Sequence, residues 1–365
     1  MKESYPELDP NSSMAYVMRG VANLDKGQYN EAISDFNQAI SLDSNNSAAY
    51  ANRGKAYWMQ KQYNEAIRDL SQAISLDPNN SAAYYTNRGG SFMGIRQYDE
   101  AIRDLNQAIS FDPNNSNAYA YRGESNRGLK QYDEAIRDLN QAISLDPNNS
   151  FAYASRGETN RELKQYDDAF RDLDQAISLN PNNFFAYACR GEANLDRRQY
   201  DDAIRDYNQA NNLDPNNSVV YASRGSAYLD RMQYDEAIRD LNQAISLDPN
   251  NSNAYANRGE VYQRLKQYDK AIMDLNQAIG FDPNNSYAYT CRGNVYRMQK
   301  QYDEAIRDLN LSISINPNDS IAYSIRGDAY RMQKQYDEAI KDFNLAISLD
   351  PNNELAKQQL REIRG

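Results

Sequence analysis

The sequence predicts an all-α protein built as a stack of ten antiparallel helix pairs and closed by one further helix at the C-terminus. Three observations carry that expectation. A phrase close to QYDEAIRDLNQAISLDPNN returns every 34 residues. Each copy holds two apolar-periodic stretches of roughly a dozen residues, enough for three helical turns apiece. Proline follows the second stretch in nine of the ten copies and stops it, because proline cannot continue a hydrogen-bonded helix.

Aligned on that proline, the units are 13–46, 47–80, 81–115, 116–149, 150–183, 184–217, 218–251, 252–285, 286–319 and 320–353. The third is one residue longer, with an extra tyrosine in Tyr84-Tyr85, and the first has Ser44 in place of the proline. The fourth unit shows the local logic. Its first helix is expected from about Asn117 to Leu129, with Ser116 as N-cap. Gly123 falls in the middle of that helix, where it costs about 1 kcal/mol relative to alanine, so a close helix–helix approach is expected there. The second helix is expected from about Asp133 to Leu145, with Ala135, Leu139, Ala142 and Ile143 on one face. Asp133 and Arg137, four apart and acid first, suit its solvated face.

The ends differ from the body. Residues 354–365 alternate Leu355, Leu360 and Ile363 with charge, as a helix capping the last pair would. Residues 1–12 end in ELDPNSS, a copy of a repeat's tail without its body. Either the protein extends further, or the array begins raggedly.

The signature is specific. In the second unit, positions 4, 8, 11, 20, 24, 27 and 32 hold Tyr50, Gly54, Tyr57, Ala66, Leu70, Ala73 and Pro78. With ten in-phase copies, the chain resembles the tetratricopeptide repeat family over nearly its whole length. That resemblance implies a right-handed superhelical α-solenoid with a concave groove lined by the first helices. The departures are consistent: arginine stands at position 7 of every unit, where the family usually has leucine. Asparagine stands at position 11 as Asn23, Asn126, Asn160 and Asn194.

Every position-7 arginine is matched by an aspartate at position 23 of its unit, from Arg19 with Asp35 to Arg326 with Asp342. Such invariance between units argues for structure, and the expectation is a partly buried ion pair fixing the register of the two helices. The sixth unit carries Asn211 and Asn212 where others have Ile-Ser, which predicts a buried amide and a softer joint.

The second helices are copied almost verbatim, whereas the first helices vary, and recognition belongs where the units differ. The groove positions implied by the resemblance carry an apolar zone with Trp58, Met59 and Met93. An acidic middle follows, with Glu124, Glu158, Glu162, Glu192, Asp196 and Asp230 beside Phe151 and Phe185. A basic end brings Arg264, Arg297 and Arg331 near Tyr287. Of these, the expected partner-binding set is Trp58, Met93, Glu124, Phe151, Glu158, Phe185, Glu192, Asp196, Asp230, Tyr287, Arg297 and Arg331.

Composition removes other functions. The chain has no histidine, hence neither the commonest general base nor the commonest metal ligand. Cys189 and Cys291 lie three repeats apart, too far to pair within one array. No phosphate-binding loop, dinucleotide fingerprint or metal-spaced cluster is present, so no catalytic site, cofactor or metal is expected. The net charge of -11 argues against nucleic acid and anionic membranes, and no apolar stretch is long enough to span a bilayer. The sparse cysteines suit a cytoplasmic protein.

The expectation is therefore a non-catalytic scaffold holding a partner protein, peptide or helix, with a basic segment of the partner over the acidic middle. The family's clamp for acidic chaperone tails needs lysine at position 5, which is small throughout, so that function is not expected. The alternatives are a regulatory or substrate-recruiting arm of a larger enzyme, or a self-assembling repeat protein.

Overall fold

The computed structural model describes residues 11–79 and 82–364, which form twenty-one helices and no strand. The first five pairs are α1 (Ser13–Asp25) with α2 (Tyr29–Leu42), α3 (Ser47–Met59) with α4 (Tyr63–Leu76), α5 (Ala82–Gly94) with α6 (Tyr98–Phe111), α7 (Ser116–Gly128) with α8 (Tyr132–Leu145), and α9 (Ser150–Glu162) with α10 (Tyr166–Leu179). They are followed by α11 (Phe184–Asp196) and α12 (Tyr200–Leu213), α13 (Ser218–Asp230) and α14 (Tyr234–Leu247), then α15 (Ser252–Arg264) and α16 (Tyr268–Phe281). The last pairs are α17 (Ser286–Met298) with α18 (Tyr302–Ile315) and α19 (Ser320–Met332) with α20 (Tyr336–Leu349), and α21 (Glu354–Arg364) ends the chain. Residues 1–10, most of the segment read as a repeat's tail, lie outside the described residues. The chain divides into two compact units, Met1–Ala193 and Asn194–Gly365, with the division inside α11.

Glycine sets how closely each pair packs. A Cβ on Gly123 would lie 2.7 Å from Leu139 Cγ and 3.2 Å from the carbonyl oxygen of Ala135, so only glycine lets α7 approach α8 this closely. Ala135, Leu139 and Ala142 are fully buried in the resulting contact, as the period of the second helix predicted. In the third pair Gly89 meets Leu105 in the same way, so its register from Ala82 onward is that of the other pairs. The additional residue of that unit therefore lies between Leu76 and Ala82, not in Tyr84-Tyr85; Tyr84 instead fills the place of Ala118 in the next pair.

The turn inside each pair is a Schellman motif. In the fourth pair Lys130 adopts φ 61°, the Lys130 amide donates to the Arg127 carbonyl, and the Gln131 amide donates to the Asn126 carbonyl. Nine pairs place lysine, arginine or methionine in this left-handed position, and only the first uses glycine, Gly27.

Between pairs, the cap differs from the expected serine. Asn115 caps α7, accepting from the Ala118 amide at 3.0 Å, while Ser116 donates to the Ala142 carbonyl at 2.9 Å. Asn149 caps α9 in the same way and its amide also donates to Ser116 at 2.9 Å, tying one pair to the next. The asparagine amide thus accepts through its oxygen at the cap and donates through its nitrogen to the preceding pair, while the Ser116 hydroxyl receives it and donates to Ala142. On the solvated face, Arg137 pairs with Glu134, three residues back, rather than with Asp133.

The final helix α21 buries Ala356 and Leu360 against Ala339, Phe343 and Ala346, with Ile363 partly covered. Leu355, expected on that face, points outward.

Candidate functional site

First helices of successive pairs touch each other, as α5 does α7 and α7 does α9 in the first unit, and α13 does α15 and α15 does α17 in the second. Second helices make no such neighbour contact among the described residues. The first helices therefore line the inner side of each unit, and their variable residues share that face.

An arginine network holds the frame behind it. Arg122 donates from Nε and Nη2 to Asp138 on the paired helix at 2.8 and 2.6 Å, and from Nη1 to Asn106 on the preceding pair at 2.6 Å. The guanidinium also lies 5.2 Å over the ring of Tyr119. The hydrogen bond to Asp138 raises the arginine above its ordinary pKa, against the opposing pull of burial. The arrangement repeats at Arg53, Arg156, Arg224, Arg258, Arg292 and Arg326, and Arg88 uses Ser71 in place of asparagine. Arg19 pairs with Asp35 but, with no helix pair before it among the described residues, is far more exposed than the others. The expected inter-helix ion pair is present, and it reaches further than expected, joining three helices.

Position 11 completes this node. Asn126 and Asn160 donate to the same carboxylates, Asp138 and Asp172, at 3.1 and 3.2 Å, as do Asn23 to Asp35 and Asn194 to Asp206 at 2.9 Å each. The asparagines were legible as departures from the pattern. Their role was not, although they follow the arginine by one helical turn on the same face.

On the inner face of the first unit, the predicted aromatics come together with one that sequence reasoning missed. Trp58 meets Tyr121 at 6.3 Å between ring centroids, Tyr121 meets the edge of Phe151 at 5.4 Å, and Phe151 stacks on Phe185 at 6.0 Å. Trp58, Phe151 and Phe185 are each half-buried. Burial pushes the Tyr121 phenol up to about 12. Gly90 lies beneath this contact: a Cβ there would stand 3.2 Å from Tyr121, which is tight, and 3.5 Å from the Trp58 indole nitrogen, which is ordinary packing. Met93 packs partly buried against the core around Leu105.

The acidic zone is neutralised in large part by its own arginines. Arg127 binds Glu124 through two nitrogens at 3.1 and 2.5 Å and Glu162 through a third at 2.6 Å. Burial would lower the Arg127 pKa, but Glu124, Glu158 and Glu162 together drive it upward. Arg161 binds the buried Glu158 at 2.9 and 2.7 Å. Glu192 is half-buried and Asp196 exposed.

In the second unit, Asp230 is exposed, and its carboxyl is raised by partial burial and by the charge of Glu260. Tyr287 donates to Glu260, which also receives Arg264 at 2.7 Å and lies 3.9 Å from the Cys291 sulfur. Arg297 reaches Asp328 at 2.7 Å and Arg331 binds the same carboxylate, so the basic end is also internally paired. Burial raises both the Cys189 and Cys291 thiols well above their ordinary value, which leaves them protonated and poor nucleophiles. No group of three or more potential ligands for a metal ion occurs among the described residues.

A stack of paired helices with a uniform frame and a varied inner face defines a helical-repeat protein. Sequence models of the tetratricopeptide repeat match residues 47–80, 82–115, 116–149, 139–171, 173–205, 252–285, 286–319 and 320–353, and a related repeat model matches 20–61 and 225–266. The chain belongs to the tetratricopeptide repeat family. Its fold is similar to that of a chain in the crystal structure of the APC/C hetero-tetramer Cut9-Hcn1, with a TM-score of 0.68 at 16% identity, covering 99% of this chain and 79% of that one. A search of curated protein sequences found no match.

Proposed function

We propose that this protein is a non-catalytic interaction scaffold that holds an extended or helical segment of a partner protein along the inner faces of its first helices. The observation that carries the reading is the division of labour between helices. The arginine–aspartate frame and the outer faces of the second helices repeat from pair to pair, whereas the inner positions carry Trp58, Phe151, Phe185, Asp230 and Tyr287 in no repeated order. Large surfaces assembled from such units suit many moderate contacts. The APC/C assembly named for the structural neighbour is consistent with this use of the fold.

A basic stretch of the partner finds its counter-charge at Asp230, because Glu124, Glu158 and Glu162 are engaged by Arg127 and Arg161, and Glu260 by Arg264. That part of the affinity falls with salt. Two buried free cysteines support a reducing compartment such as the cytoplasm. No helix among the described residues is long and apolar enough to cross a membrane.

The test is a pull-down with the wild-type array beside a variant carrying Phe151→Ala, Phe185→Ala and Glu192→Lys, with circular dichroism confirming that the variant folds. A partner kept by the wild type and lost by the variant supports recognition on the inner face. Equal retention moves recognition to the turns, the ends or the outer face.

A further inference from the structure

The first helix pair lacks on one side what every later pair has. The residue at position 10 of the first helix is fully buried in each of the nine later pairs, from Ala56 to Ala329, but Ala22 is exposed. Ala15 is partly exposed where its equivalent Ala49 is fully buried. Arg19 engages Asp35 through Nε and Nη2, but its Nη1 has no acceptor among the described residues. In later pairs that nitrogen reaches back to the preceding second helix, as Arg53 does to Asn37. The other end carries the counterpart. There α21 covers α20 through Ala356 and Leu360, and it fits less fully than a first helix does. Leu360 stands where a first helix has its arginine, so Asn344, the equivalent of Asn37, has no hydrogen-bond partner among the described residues. A cavity of about 440 Å³ remains beside α21, lined by Arg331, Tyr336, Ile340, Glu362 and Ile363. Tyr336 is exposed there, whereas the same tyrosine of every earlier pair is partly buried.

We propose that α1 of one molecule docks on α20 of a second copy in place of α21, joining molecules end to end. The junction between α2 and α3 is the template. There Ala49 and Ala56 pack on Ala32, Phe36 and Ala39, Arg53 donates to Asn37 at 2.5 Å, and Gln60 donates to Asn30 at 2.8 Å. The helix α20 matches α2 at each of these places, with Ala339, Phe343 and Ala346 for the apolar contact, then Asn344 and Asp337. Phenylalanine at this point belongs to these two second helices alone; the other eight have leucine or tyrosine. The helix α1 and its turn match α3 in the same way, with Ala15, Ala22, Arg19 and Lys26. Docking buries Ala22 against Phe343 and gives Arg19 its missing acceptor in Asn344. It also sets Lys26 against Asp337, opposite charges where the template has two amides, and both are exposed in the single molecule. The interface is heterologous, so it does not close after two copies and builds open chains. Because α21 is tethered beside its own site, it competes as an intramolecular occupant and lowers the measured association by the fraction of molecules it has left.

Sedimentation velocity of the full 365-residue chain over a concentration series tests this. Leu360→Asp unseats α21, and circular dichroism checks that the array stays folded. The expected result is a mass that rises with concentration, with an association constant at least about tenfold above that of the wild type. Adding Ala22→Asp, which changes a residue exposed in the single molecule, abolishes the association. Adding Lys26→Asp instead weakens it, and Asp337→Lys on top of that restores it. Tail-to-tail pairing, or unspecific sticking of the uncovered α20, would not show that reciprocity. The same charge reversals in the chain with native α21, read at the highest concentration, give the reciprocity without disturbing any buried residue. A single-chain mass for Leu360→Asp at every concentration overturns the proposal. So does association that Ala22→Asp leaves intact, or charge reversals whose effects merely add. The partner pull-down is a separate matter, because neither α1 nor α20 carries the inner-face residues altered there.

Discussion

Arg122 and Asp138 form a two-pronged ion pair across one helix pair, and the third arm of the arginine reaches Asn106 on the pair before. One side chain thus sets both the register within a pair and the step to its neighbour. Asp138 is buried, so it depends on Arg122 for compensation of its charge. Arg122→Ala is expected to destabilise the array by about 3 kcal/mol, near the lower end for breaking a buried pair because the arginine retains some water contact. Arg122→Leu with Asp138→Leu is expected to recover most of that loss. A double-mutant cycle by urea denaturation measures the coupling, and additive single effects would contradict it.

Glycine separates packing from helix propensity. Gly123→Ala places a Cβ 2.7 Å from Leu139 Cγ, whereas Gly280, on the exposed side of α16, has nothing within 4 Å of the corresponding position. Gly280→Ala is expected to stabilise by about 0.5–1 kcal/mol from propensity alone. Gly123→Ala is expected to destabilise by about 1–3 kcal/mol because overpacking outweighs the same gain. Thermal denaturation of the two variants side by side reads the opposite signs.

Asn211 is a defect carried inside the core of the second unit. Its Nδ2 and Oδ1 are both buried without a hydrogen-bond partner, at a place where other pairs have isoleucine. Asn211→Ile is expected to stabilise by about 1–3 kcal/mol. Hydrogen exchange is expected to show lower protection in α12 than in α14 of the wild type, and equal protection in the variant.

The left-handed turns are a second local cost. Lys130 holds φ 61° at the position where the first pair has Gly27. Lys130→Gly is expected to stabilise by about 1 kcal/mol, since glycine adopts this conformation without steric conflict. A shift of the denaturation midpoint in the opposite direction would show that the lysine side chain contributes more than the backbone loses.

Repetition explains what could be read from the sequence. The pairing of Arg122 with Asp138, the close approach at Gly123 and the buried amide at Asn211 all follow from comparing one unit with the next, because each depends on contacts within a pair or to its neighbour. Features that need two positions to be weighed against each other were harder. Ser116 and Asn115 are both good caps, and only the geometry shows that asparagine caps while serine accepts from the next pair. Gly27 was the available signal for the left-handed turn, since lysine at the same position elsewhere gives no hint of positive φ. The aromatic ring was partly legible through Trp58, Phe151 and Phe185. Tyr121 and Gly90 were not, because the Trp58–Tyr121 contact over Gly90 skips a pair and depends on curvature that no single unit encodes. The expected acidic middle is not free charge at Glu124, Glu158 and Glu162, because Arg127 and Arg161 sit one turn away on the same helices and bind them.

The measurement that tests the central claim most directly is site-specific photocrosslinking to the partner recovered in the pull-down. A benzophenone amino acid is placed at Lys55 and Tyr287 on the inner face, and at Arg137 and Arg239 on the exposed face of the second helices. Crosslinks from Lys55 and Tyr287 alone are the predicted result. Crosslinks from Arg137 or Arg239, with none from the inner positions, would contradict the account and place recognition on the face that the repeats share.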